Sequence, residues 1–109
     1  MTIPDDKPLF AISVAAEILG LHPRTIMIYE KAGFLSPFRT QTNRRRFSRS
    51  DLRHLFFIKY LTQKKNVNLS GIKILLEAIK EAQKHHLNLK EALFPEFKEE
   101  ELLKEAFSR

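Results

Sequence analysis

The stretch ISVAAEILGLHPRTIMIYEKAGFL, residues 12–35, decides how this 109-residue chain is read. It contains two short helical patterns with almost nothing between them. In residues 13–20, Ser13 can cap the free amides of a first turn, and Gly20 supplies a left-handed stop. The pattern restarts at once, because Pro23 suits the first position of a helix, where no amide partner is lost, and Gly33 ends it before Phe34 and Leu35 return to a core. Two helices joined only by Gly20, Leu21 and His22 must cross steeply, which leaves the second one exposed in the manner of a helix-turn-helix. Stepping about 100° per residue from Arg24 puts Ile26 and Tyr29 on one side, at about 200° and 140°. Met27, Ile28 and Lys31 then fall on the other, at about 300°, 40° and 340°. If Ile26 and Tyr29 face the core, Met27 and Ile28 face out.

Downstream, SPFRTQTNRRRFSR (residues 36–49) has apolar residues at Phe38 and Phe47 around a polar loop, the pattern of a two-stranded hairpin that carries Arg39, Arg44, Arg45 and Arg46 as a basic wing. Ser48 with Asp51 is a capping-box pattern opening a helix over roughly 49–65. Asn68 caps another, with Ile72, Leu75, Leu76 and Ile79 as its apolar stripe. Asn88 with Glu91 opens a short helix, Pro95 interrupts, and a last amphipathic piece follows. The expected architecture is mainly α, with residues 8–80 as a winged helix-turn-helix domain carrying a small β-hairpin wing, and 81–109 as a helical extension.

The net charge of +6 is unevenly placed. Residues 1–19 sum to −2, residues 67–109 to −1, and residues 20–66 to +9, with eleven Lys and Arg against Glu30 and Asp51 alone. A localised excess of this kind is the footprint of a polyanion binder, since each cation set on a phosphate releases condensed counterions. The absence of cysteine removes thiolate metal sites, disulfides and Cys nucleophiles, and three glycines leave no phosphate-cradling loop. His85 and His86 end a helix without partners at metal-ligand spacing, so no metal or other cofactor is expected. Glu99, Glu100 and Glu101 read as a solvated face, and no constellation argues for an enzyme. The N-terminus lacks an apolar run and no stretch approaches membrane-spanning length, so a cytoplasmic location away from any membrane is expected.

The order helix-turn-helix, wing, helix pair resembles the winged-helix DNA-binding domain of the MerR family. Thr25, Ile26, Tyr29, Glu30 and Gly33 stand where members read T-I-R-x-Y-E-x-x-G-L. Arg45, Phe47, Ser48, Asp51 and Leu52 match Y-R-x-Y-S-x-x-D-L, and Leu69, Ile72 and Lys73 match a capped L-x-x-I-K-x-L-L helix. The chain departs from the pattern at Met27, where the family's recognition-helix arginine falls, and at Ile28, which replaces a polar or aromatic residue. AISVAAEILGLHPRT and VNLSGIK look most like the heat-shock repressors of that family. The resemblance implies a homodimer that represses chaperone operons through an inverted repeat in double-stranded DNA, with the chaperone DnaK as a co-repressor.

The candidate DNA contacts are therefore Ser13, His22, Arg24, Thr25, Met27, Ile28 and Lys31 on the helix pair, and Arg39, Asn43, Arg44, Arg45 and Arg46 on the wing. Ser13 serves equally well as a plain cap. Met27 and Ile28 admit three readings: contact with thymine methyls, packing on the wing or a neighbouring subunit, or a chain that binds DNA poorly and has another role. Leu87, Leu93, Phe97, Leu102, Leu103 and Phe107 are too many apolar side chains to leave in water. They either fold back or pair with a second copy, and pairing is expected because an inverted repeat needs a two-fold reader. An excisionase-like or architectural DNA binder, and a protein-interaction module using the apolar face of the second helix, are the alternatives.

Overall fold

Both helices of the opening motif end in the same backbone device. The structure, a computed structural model, describes residues 3–108. Helix α1 (Ile12–Leu19) stops where Gly20 turns left-handed at φ 67°, the Gly20 N–H donating to Glu17 O and the Leu21 N–H to Ala16 O. Helix α2 (Pro23–Lys31) stops with Gly33 at φ 85°, the Gly33 N–H donating to Glu30 O and the Phe34 N–H to Tyr29 O. In such Schellman motifs the residue after the left-handed position packs back on the last turn. Phe34 does so, its ring centroid 6.1 Å from that of Tyr29. The start of α1 differs from expectation: Ala11 occupies the cap position, no side chain caps the helix, and Ser13 lies exposed in the first turn. Phe10 is tied by backbone hydrogen bonds to Phe47, N–H to O at 2.9 Å and O to N–H at 2.7 Å, so the chain enters the helix directly after it.

Gly20→Ala is expected to destabilise the fold by about 1–2 kcal/mol, the cost of holding a Cβ-bearing residue left-handed. The new Cβ would stand 3.3 Å from Lys59 Nζ, the movable end of a side chain that donates to Leu19 O at 2.7 Å. Urea denaturation measures the loss, and Gly33→Ala, with nothing within 4 Å of its Cβ, isolates the backbone contribution.

The wing is as short as a hairpin can be. Strands β1 (Phe38–Arg39) and β2 (Arg45–Arg46) pair antiparallel, Phe38 opposite Arg46 and Arg39 opposite Arg45. The loop closes through Thr40 N–H to Arg44 O at 2.9 Å and Asn43 N–H to Thr40 O at 2.8 Å, with Asn43 left-handed at φ 61°, a conformation asparagine tolerates. A two-stranded ribbon is marginal by itself. Here the N-terminal segment braces it, since Leu9 and Phe10 both donate to Phe47 O.

Helix α3 (Arg49–Gln63) opens with the expected capping box: Ser48 Oγ accepts from the Asp51 N–H at 3.0 Å, and Asp51 Oδ2 accepts from the Ser48 N–H at 2.9 Å. It buries Leu52, Leu55, Phe56, Phe57, Ile58 and Leu61, more than one stripe, which marks it as the central helix that neighbours cover. Helix α4 (Leu69–Lys84), capped by Asn68, adds Ile72 and Ile79 and runs through position 80 without a break.

The C-terminal apolar residues fold back on the chain in part. Helices α5 (Leu89–Leu93) and α6 (Glu99–Phe107) are separated by a turn at Pro95, and α6 folds back on α3 and α1. Leu103 is 5% exposed within the chain's own core, and Phe97 packs with its centroid 5.4 Å from Phe57 and 4.9 Å from Tyr60. Leu103 is thus covered by the chain itself, and Phe97 is half-buried. Phe107 keeps partial exposure while packing 5.6 Å from Phe10 and beneath the Arg49 guanidinium at 5.3 Å. Arg53 ties the ends together through Asp5 at 3.1 Å and Glu100 at 2.7 Å. A helix broken by proline can double back and bury its aromatic residues within the same chain, which a continuous helix could not. Leu87, Leu93 and Leu102 stay exposed. Among the described residues no helix is long and apolar enough to cross a membrane.

Candidate nucleic-acid interface

Helix α2 is held from one side only. Ile26 is fully buried and Tyr29 nearly so, while Met27 and Ile28 are 43% and 46% exposed, as the helical period requires. Arg24 and Lys31 are exposed at either end of the same outer face, and Thr25 is half-buried beside them. His22 has a defined local role: its Nδ1 accepts from the Arg24 N–H at 3.0 Å and so caps α2 just ahead of Pro23. Only Nε2 of that ring is left for a partner.

The wing is fastened to α2 through Glu30. Its Oε1 accepts from Arg45 Nε at 2.6 Å and its Oε2 from Arg39 Nη2 at 3.0 Å. Arg39 Nη1 also donates to Asn43 O at 3.3 Å, and Arg46 Nη1 donates to Arg45 O at 2.9 Å. Arg44, beside the turn, is exposed, its backbone N–H donating to Thr40 Oγ1 at 3.1 Å. Four arginines that look alike in sequence thus fall into separate settings. Arg39 and Arg45 orient the wing against α2, Arg46 lies along its own strand, and Arg44 is directed to solvent with Arg24 and Lys31. Glu30 is 18% exposed and Arg45 23%, so their pairing is partly shielded from the screening that weakens surface ion pairs. Sequence reasoning missed this role for Glu30. The available signal was its isolation, one of two acids among eleven bases.

Behind α2, His54 Nε2–H donates to Phe34 O at 2.9 Å, fastening the loop that ends the helix to α3. Burial pushes the His54 imidazole below its ordinary value, with the bond to Phe34 working against that shift. Burial thus favours the neutral ring in the folded state, whose contribution is complete above the unfolded pKa of about 6.5 and is lost as pH falls from there through the lowered folded value. The stability difference between the wild-type chain and His54→Gln is expected to shrink on going from pH 7.5 to pH 5.5, followed by thermal unfolding at each pH. A difference that grows toward acid would contradict it.

Comparison with known proteins bears on the same residues. Residues 10–79 match the family described as MerR HTH family regulatory protein. A Streptomyces coelicolor protein assigned as heat shock protein HspR is 41% identical over 75 residues, 69% of this chain and 50% of that protein. The HTH-type transcriptional regulators GlnR of Bacillus anthracis and Bacillus cereus are each 39% identical over 84 residues, 77% of this chain and 64% of those proteins. The chain thus spans about half to two-thirds of the length of the relatives it matches. The family and the GlnR relatives are regulators by description rather than enzymes, in line with the sequence reading. The matched segment takes in α1, α2, the wing, α3 and most of α4. With that match over most of its length, the chain belongs to the MerR helix-turn-helix family of regulatory proteins.

Proposed function

We propose that this chain is a DNA-binding transcriptional regulator, a repressor that binds an inverted-repeat operator as a homodimer and acts in the heat-shock response. The observation that carries it is the Glu30 clamp, which fixes an exposed basic wing at a set angle to the exposed face of α2 within the +9 segment. A helix and a hairpin held rigidly side by side suit a groove and its flanking backbone, with phosphate contacts setting the position and base edges the sequence. Residues 8–80 form the reading domain and 81–109 the extension, where exposed Leu87, Leu93 and Leu102 with Phe107 supply the apolar surface for pairing. The name of the Streptomyces relative supports the heat-shock assignment. The resemblance adds DnaK as co-repressor, and the reading places the chain in the cytoplasm. A second reading, a protein-interaction module, draws on the exposure of Met27 and Ile28.

Titration of duplex DNA at several salt concentrations separates the two. If Arg24, Lys31 and Arg44 each neutralise one phosphate while Arg39 and Arg45 stay on Glu30, log K falls against log salt with a slope of about −3 per protomer. Negligible affinity at low salt would overturn the DNA reading and favour the protein-interaction one.

A further inference from the structure

We infer that the outer face of α2 reads thymine, through contact of Met27 and Ile28 with C5-methyl groups in the major groove. The inference rests on the DNA-binding reading above and specifies what that helix recognises.

The face has an unusual composition for a base reader. Helix α2 is PRTIMIYEK, with no amide side chain to form a paired hydrogen bond to adenine. Its single carboxylate, Glu30, accepts from Arg39 and Arg45 and is withdrawn from cytosine amino groups. Thr25 is half-buried, and the His22 ring is bonded to the helix start. Between Arg24 and Lys31 the surface is therefore Met27 and Ile28. The two cations are separated by about 10 Å of helix rise, comparable with a major groove about 12 Å wide. With the ends drawn toward phosphates on the two walls, the apolar pair lies over the base edges, where the thymine methyl is the one apolar group on offer.

Packing against the wing does not explain these side chains, since both stay over two-fifths exposed with the wing in place. Charge also argues against a protein partner docking there, because the pair is flanked along the helix by exposed Arg24 and Lys31. An apolar patch bordered by two cations complements a polyanion that carries methyl groups. Met27 adds adaptability: three rotatable bonds and a polarisable sulfur let it follow a methyl at either of two neighbouring base pairs.

The test starts from duplexes selected by the full chain from a random pool. Each thymidine of the selected site is replaced singly by deoxyuridine, which removes the methyl and leaves every hydrogen-bonding edge intact. One or two adjacent replacements should weaken wild-type binding about fourfold each, the effect of losing one buried methyl-sized group. The same replacements should leave Met27→Ala or Ile28→Ala unaffected. Both positions are exposed, so unchanged circular dichroism and melting are expected and show that the variants fold. If no deoxyuridine has an effect, or if the effect persists undiminished in both variants, the inference is wrong while DNA binding stands. If selection recovers no duplex at low salt, the DNA-binding reading itself fails.

Discussion

Phe47→Ala is expected to cost about 3–5 kcal/mol, the range for deleting a fully buried phenylalanine ring. Phe47 is completely excluded from solvent, and its backbone N–H and O both bond to Phe10. It stands between β2 and the Ser48 cap of α3, so its ring is where the N-terminal segment, the wing and the central helix meet. Emptying that position loosens the brace that a two-residue hairpin cannot do without. Domains of this size are stable by about 5–15 kcal/mol, so the loss is a large share of the total. Thermal unfolding followed by circular dichroism should show a midpoint lowered by about 15–30 °C. Phe38→Ala is the control. Phe38, at the other edge of the same hairpin, is exposed, and its removal should stay within about 0.5 kcal/mol. Equal losses from the two substitutions would mean that the wing is not braced as described.

Glu30→Ala is expected to tighten binding to arbitrary DNA while erasing preference between sequences. Removing the carboxylate takes one negative charge from the face proposed to meet phosphates and releases Arg39 and Arg45, which it holds at 3.0 Å and 2.6 Å. With two more cations available, the salt slope should steepen from about −3 to about −5 per protomer, and low-salt affinity for non-specific duplex should rise about tenfold. The wing is then no longer set against α2, so the ratio of specific to non-specific affinity should fall. The fold should lose only about 1 kcal/mol, because Arg39 is itself exposed and the Arg45 pair is only partly shielded. Glu30→Gln keeps the shape with a neutral acceptor and should fall between the two. An unchanged salt slope in Glu30→Ala would show that Arg39 and Arg45 already contact phosphates in the wild-type complex, and that the clamp opens on binding.

What was legible in the sequence is what depends on neighbours in the chain. Gly20, Pro23, Gly33, the Ser48–Asp51 box, Asn68 and Asn88 set helix limits within a residue or two, because a cap or left-handed stop acts over one turn. The inward Ile26 and Tyr29 and the outward Met27 and Ile28 followed from the helical period alone. Even there local signals compete: Ser13 is a good cap residue, yet the Phe10–Phe47 bridge starts α1 one position before it. The rest was settled by tertiary structure. Phe38 and Phe47 are equivalent on the hairpin pattern, and the approach of the N-terminal segment buries one and leaves the other in solvent. Arg39 and Arg45 find Glu30 across 9 and 15 residues, a meeting set by how the wing packs on α2. Leu103 and Phe97 look like a pairing face until α6 turns at Pro95 onto α3. Residue pattern fixes that an apolar face must be covered, since leaving it in water is costly, whereas which surface covers it depends on shapes formed only after the chain has folded.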